Sequence, residues 1–107
     1  MELTQYSIVL VNLDPTIGSE IKKTRPCVVI SPDEMNKFLS TIVIAPMTTN
    51  LKKYPTRVSV EHNEKRGMIA IEQISTVDKI RIVKVFERLT KTQIENCKAV
   101  IKETYVD

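Results

Sequence analysis

The stretch GSEIKKTRPCVVI, Gly18 to Ile30, sets a polar, cationic segment against an abrupt apolar run. Its second half decides what kind of fold this is. CVVIS, Cys27 to Ser31, is short, rich in β-branched residues and free of charge, which is how a well-buried strand reads. Pro26 is expected at the first residue of that strand, where a missing N–H costs least. The polar half, Thr16 to Thr24, reads as a loop in which Gly18 is free to take positive φ.

Working outward, short strands recur on both sides. Upstream, Ser7 to Leu13 (SIVLVNL) is β-rich and is stopped by Asp14-Pro15, because Pro fixes φ and Asp bonds its own backbone. Downstream, SPDEMNKFL reads as a short helical turn capped by Ser31 or Asp33, with Pro32 at its first position. Thr41 to Ala45 (TIVIA) is a third strand ended by Pro46, and the polar loop TTNLKKYP runs from Thr48 to Pro55. Thr56 to Val60 alternates as a half-exposed strand should, and a turn from His62 to Gly67 leads into GMIAIEQI, the fifth strand. IRIVKVFERL, Ile80 to Leu89, is apolar on both faces, which predicts a strand with a bend or bulge near Ile82-Val83. Thr90 to Tyr105 is a helix opened by a capping box of Thr90 and Gln93, with Ile94, Cys97, Ile101 and Tyr105 on one stripe that packs on the sheet. Many short strands and one closing helix make a mainly β domain, a small and partly open β-barrel.

At 107 residues, with 42% apolar and 27% charged, the chain makes one globular domain. The net charge of +3 permits a polyanionic partner without requiring one. Cys27 and Cys97 sit in apolar contexts without CxxC spacing, so two reduced, buried thiols are expected rather than zinc or redox work. No apolar run approaches the roughly 20 residues of a membrane span. The acidic start MELTQYSIVLVNLD does not resemble a signal peptide, and the expected address is the cytoplasm.

The inventory of reactive groups is short. One His, two distant Cys and no HExxH or DxDxDG pattern argue against a metal site, and two glycines cannot build a glycine-rich phosphate loop. His62, in a turn of polar residues, reads as a surface turn histidine rather than a catalytic base. What remains is electrostatic: Arg25 at a strand edge, Glu20 one loop away, and the hydroxyls Thr48 and Thr49 at the end of the third strand. A guanidinium offers forked donors that match a phosphate, and threonine adds a hydrogen bond to the same oxygens. By residue type alone this set is either a site or a basic loop beside strand-end threonines.

Three blocks tip that balance. VNLDPTIGSEIKKTRPCVVISP, then VIAPMTT, then GMIAIEQISTVDKIRI resemble, in order and spacing, the MazF/PemK toxins of bacterial toxin–antitoxin pairs. With the terminal helix the likeness spans nearly the whole chain. It implies an SH3-like barrel, a homodimer, and a metal-independent endoribonuclease without cofactor that cuts single-stranded RNA at short sequences. It also implies a cognate antitoxin whose flexible acidic tail covers the RNA groove and through which alone an operator DNA is contacted. Matched motif by motif, the family's catalytic arginine falls on Arg25, its catalytic threonine on Thr48, its acidic residue on Glu20 and its fifth-strand glutamine on Gln73. Arg25 would stabilise the crowded phosphorane and hand a proton to the leaving oxygen, with either Glu20 or Arg25 as the base; a guanidinium is a poor base. Lys22, Lys23, Lys52, Lys53, Thr49 and Gln73 are candidates for RNA binding, and Tyr54 for stacking on a base; for the lysine loop and Tyr54, plain solvation and packing compete with that role. KIRIVK reads as strand surface.

Three departures from the family pattern stand out. Tyr6-Ser7 replaces the usual Gly-Asp at strand one, Glu72 stands for an Asp before Gln73, and Ser75 stands for an Arg. Two other functions fit the same resemblance. One is a catalytically weak module that binds nucleic acid or antitoxin. The other is a toxin of the related gyrase-poison branch, against which the lack of Trp and the single aromatic, Tyr105, in the last helix argue.

Overall fold

The computed structural model describes residues 2–13 and 23–106. Gly18, Glu20 and Lys22 therefore lie outside the described residues. β1 (Ser7–Asn12) and β2 (Thr24–Val29) pair antiparallel with Val9 opposite Cys27. Their apolar runs are continuous because both faces are covered. Ile8 and Val28 enter one core with Ala45, Ile69, Ile71 and the helix residues Ile94 and Cys97, while Val9, Val11, Cys27 and Val29 enter another with Ile42, Ile44 and Ile82.

β2 starts at Thr24, so Arg25 lies inside the strand and Pro26 at its third position rather than its first. The ladder to β3 (Thr41–Thr48) runs only from Cys27 to Val29, so Pro26 sits just past its end, where no N–H is asked for. Nor does Pro46 end the third strand. β6 (Ser75–Asp78) pairs with Thr41 to Ile44 and β5 (Lys65–Ala70) with Met47 and Thr48, and Pro46 falls in the gap between those two ladders.

That gap also explains a strand that the sequence reading missed. GMIAIEQI reads as one strand, but β5 stops at Ala70 and a 3-10 turn, Ile71–Gln73, precedes β6. Moving from Thr48 to Ile44 is four steps on β3, whereas their partners Met68 and Ser75 are seven apart. The surplus of three residues is the turn itself.

β4 (Arg57–His62) joins β5 through Asn63 and Glu64, with φ of 51° and 62°. Two successive left-handed residues make the tight hairpin turn whose twist suits antiparallel strands, with Asn first and no glycine. A second 3-10 turn, Lys79–Arg81, leads into β7 (Ile82–Arg88), which pairs with β1 through two register shifts. One lies between the Leu10–Lys84 and Val11–Ile82 pairs and leaves Val83 as the extra residue, so the predicted bulge near Ile82-Val83 is present.

The sheet order is β4-β5-β3-β2-β1-β7, with β6 also on β3. It curls until its first and last strands meet through side chains. His62 at the end of β4 bonds Glu87 of β7, Nδ1 to Oε1, at 2.8 Å, and its ring meets Phe86 edge-on at 4.6 Å. His62 is 7% exposed. It is therefore a seam residue of a half-barrel and not a surface turn histidine; the turn is two residues long and begins after it.

α2 (Lys91–Tyr105) packs against β4 and the first 3-10 turn. Its capping box is complete: the Thr90 hydroxyl accepts from the Gln93 N–H at 3.2 Å, and the Gln93 side chain accepts from the Thr90 N–H at 2.9 Å. Ile94 and Cys97 are buried, and Tyr105 is half exposed with its hydroxyl donating to the Ile71 carbonyl at 2.7 Å. α1 (Asp33–Phe38) follows Pro32, and no side chain caps it. Ser31 and Asp33 are engaged elsewhere: Ser31 Oγ accepts from the Val43 N–H and bonds Asn36, and Asp33 accepts from the Gln5 N–H.

Candidate functional site

Register puts Arg25 and Thr48 at matching ends of neighbouring strands. The last β2–β3 pair is Cys27 with Pro46, and Arg25 and Thr48 each lie two residues beyond it on their own strand. Two residues restore the pleat, so both point to the same side of the sheet end. Arg25 is exposed, and its guanidinium has no ion pair among the described residues. Its backbone is fixed by pairing with Val11, and the buried Cys27 thiol leans on its carbonyl at 3.5 Å. Thr48 is half buried, and its Oγ1 accepts the Asn50 N–H at 3.2 Å. A hydroxyl has one proton to give, and the Asn50 bond leaves that donor unused.

Thr48 is held from the far side as well. A Cβ on Gly67 would stand 2.9 Å from the Thr48 carbonyl oxygen. Glycine is required there by close approach of two backbones, and the turn before it needs none.

Beside Thr48 opens a cleft of about 350 Å³. Leu10, Pro26, Met47 and Phe86 give it an apolar floor, with Thr48, Thr49, His62, Lys65 and Arg66 around it. Arg25 is not among its lining residues; it lies on the strand that supplies Pro26.

The remaining candidates form a second group. Glu72 receives Arg57 through a two-pronged pair, Nε to Oε1 at 2.9 Å and Nη2 to Oε2 at 2.7 Å, and also accepts from the Thr56 hydroxyl and from Gln73 Nε2. The hydrogen bonds from Arg57, with a smaller contribution from Thr56, hold the Glu72 carboxyl at about 2. Tyr54 lies between two cations, with Arg57 5.1 Å and Lys52 5.3 Å from its ring centre. Gln73 and Tyr54 thus belong to one cluster clamped by Arg57 and Glu72. The sequence reading named Glu72 only as a departure and did not name Arg57, whose partner lies 15 residues away.

Lys53 is exposed and lines a groove between this loop and α2. Lys23 is exposed, with its carbonyl accepting from the Leu13 N–H at 2.8 Å. The two thiols are buried, and burial pushes each up to about 12, away from thiolate chemistry. Tyr6, where the family usually has glycine, takes φ of 67°, a conformation that glycine adopts freely. Its ring is buried in the core with Ile8 and Leu89, and that burial offsets the backbone strain.

The curled sheet with a terminal helix is the toxin barrel of known structures. A MazE-MazF complex from Deinococcus radiodurans superposes with a TM-score of 0.80 over 96% of this chain and 95% of that one, at 20% identity. A mycobacterial endoribonuclease in complex with its cognate antitoxin gives 0.79 over 94% and 91%, at 15% identity. In sequence, the endoribonuclease MazF of Staphylococcus epidermidis is 34% identical over 93 residues, 81% of this chain and 78% of that protein. The profile of the PemK-like, MazF-like toxins of type II toxin-antitoxin systems matches residues 4–105, and the chain belongs to that family.

Proposed function

We propose that the protein is the toxin of a type II toxin–antitoxin pair and acts as a metal-independent endoribonuclease on single-stranded RNA. The observation that carries this reading is the placement of Arg25 and Thr48 at matching ends of neighbouring strands. RNA holds its own nucleophile, so the protein has only to move protons and stabilise charge. The 2′-oxygen attacks phosphorus, the bond to the 5′-oxygen of the next nucleotide breaks, and the products are a 2′,3′-cyclic phosphate and a 5′-hydroxyl.

Arg25 and the free Thr48 hydroxyl proton are aimed at the phosphorane oxygens, where charge develops. Arg25 gives the departing 5′-oxygen its proton, and Glu20 is the candidate acceptor of the 2′-proton. Lys22, Lys23, Lys52 and Lys53 bind the backbone, while Tyr54, held by Arg57, offers a face for an unpaired base, with Gln73 and Thr49 as hydrogen-bonding neighbours. The antitoxin would lay an acidic segment along the same cationic surface, and the working unit would be a homodimer. Cleavage of messenger RNA in the cytoplasm would stop translation.

End-labelled RNA incubated with the protein in EDTA tests this. The expected result is fragments with 5′-hydroxyl ends whose rate falls at least about a hundredfold in Arg25→Ala or Thr48→Ala, the loss usual for a donor aimed at a transition-state oxyanion. Intact but bound RNA would instead favour the binding module, and intact, unbound RNA the gyrase-directed branch.

A further inference from the structure

The seam between β4 and β7 leaves one polar group without work in the fold. Glu87 carries a carboxyl lowered by its hydrogen bond from His62, so it is an ionised acceptor and the proton of that bond sits on Nδ1. Nε2 is the ring's other polar atom. Among the described residues Nε2 has no partner, and no side-chain nitrogen or oxygen without a partner is fully buried. Nε2 is therefore not fully buried, and His62 lines the cleft beside Thr48.

The cleft suits one flat, partly polar guest. Its volume of about 350 Å³ is near the lower end of the roughly 300–1,000 Å³ of small-ligand pockets, room for a single nucleotide rather than a run of strand. Its floor offers Phe86, and single-stranded RNA is commonly read by splaying a base onto such a surface and bonding its edge. Lys65 and Arg66 also line the cleft, and Lys84 Nζ lies 5.0 Å from the centre of the Phe86 ring, so positive charge stands near where phosphates would enter. Among the described residues, Glu87 is the acid bonded to this wall.

We propose that the cleft is a nucleobase subsite beside Thr48, and that His62, oriented by Glu87, reads the edge of the base held there. The inference rests on the endoribonuclease reading for its substrate. It adds a specificity residue to that reading, one that touches the base but not the scissile phosphate. A fixed Nε2 favours a base whose edge presents the complementary group, and a single well-aligned bond of this kind discriminates about tenfold.

His62 is the only histidine of the chain, so its imidazole signals in a side-chain proton–nitrogen spectrum need no assignment. The four nucleoside 3′-monophosphates, which contain no bond to cut, serve as probes. The expected result is a saturable shift of the imidazole signals with affinities that differ about tenfold between bases. His62→Phe keeps a ring against Phe86 and removes Nε2, and Glu87→Gln removes the acceptor on a side chain that is 59% exposed. Each should flatten the base preference at one position of the mapped cleavage sites. Cutting by the parent protein with an imidazole that none of the four probes moves overturns the subsite and leaves the nuclease reading standing. A saturable, base-dependent shift in a protein that cuts no RNA does the reverse. Unchanged cleavage preference in both folded variants also overturns it.

Discussion

Replacing Gly67 by alanine should disturb Thr48 through the backbone alone. The added methyl would meet the Thr48 carbonyl oxygen at 2.9 Å and its carbon at 3.8 Å. A relaxed carbon-to-oxygen contact is about 3.3–3.6 Å, so roughly half an ångström must be found. Neither side gives easily, because Gly67 pairs with Val60 and Thr48 pairs with Met68. Overpacking of this kind costs about 1–3 kcal/mol, and the smaller entropy of an unfolded alanine returns about 0.4–1 kcal/mol. The net loss, about 1–2 kcal/mol, corresponds to a fall in Tm of about 5–10 °C for a domain of this size. A one-ångström misplacement of a reacting group can cost about a hundredfold, so half of it predicts a cleavage rate about tenfold lower. Urea unfolding with the slope m held in common gives the first quantity, and single-turnover cleavage at saturating protein gives the second. A Gly67→Ala protein as stable as its parent would refute the close-approach argument. One destabilised as expected but cutting at the parental rate would detach Thr48 from the chemistry.

Two further outcomes follow from side chains that cap or clamp. Glu72→Gln should loosen Tyr54 and cost about 1 kcal/mol or less at neutral pH, since the pair is partly exposed and water screens it. The carboxyl is held at about 2 against an ordinary 4.5, so its contribution is complete above the ordinary value and fades as pH falls toward 2. Melting curves should therefore converge between parent and variant in acid, and a gap independent of pH would contradict the clamp. Thr90→Ala removes one half of the capping box and should cost about 1 kcal/mol by chemical unfolding, whereas Thr90→Ser should cost little.

How far the sequence carried the structure depends on how local each signal was. Continuous apolar runs placed β1, β2 and β7, and the Thr90–Gln93 pair placed α2, because each signal lies within a few residues. Proline misled twice. Pro26 and Pro46 mark strand limits only when both sides of the strand are paired, and here each falls where one ladder is missing. β6 was hidden because a 3-10 turn of ordinary strand-forming residues interrupts β5 and β6 without glycine or proline to announce it. Arg25 and Thr48 were named through motif likeness, and the register puts them at matching ends of neighbouring strands. His62 and Arg57 were not, since their partners, Glu87 and Glu72, stand 25 and 15 residues away. Only the curl of the sheet and the approach of β4 to the first 3-10 turn bring them together. The Gly-to-Tyr departure at Tyr6 also gained a meaning: the family's glycine fits a left-handed backbone, and this chain keeps that backbone beneath a buried ring.

β3 differs from every other strand in having three strand partners, β2, β5 and β6. No local fluctuation can release it without breaking ladders on both sides, so its opening is tied to loss of the whole fold. Thr48 ends this anchored strand, and the residues that follow, Thr49 to Tyr54, leave it as exposed loop. On the proposed function, that division would suit a toxin that meets many transcripts: stiffness would lie under the threonine proposed to face the phosphate, and the neighbouring loop would adapt to one RNA after another at little cost to that geometry.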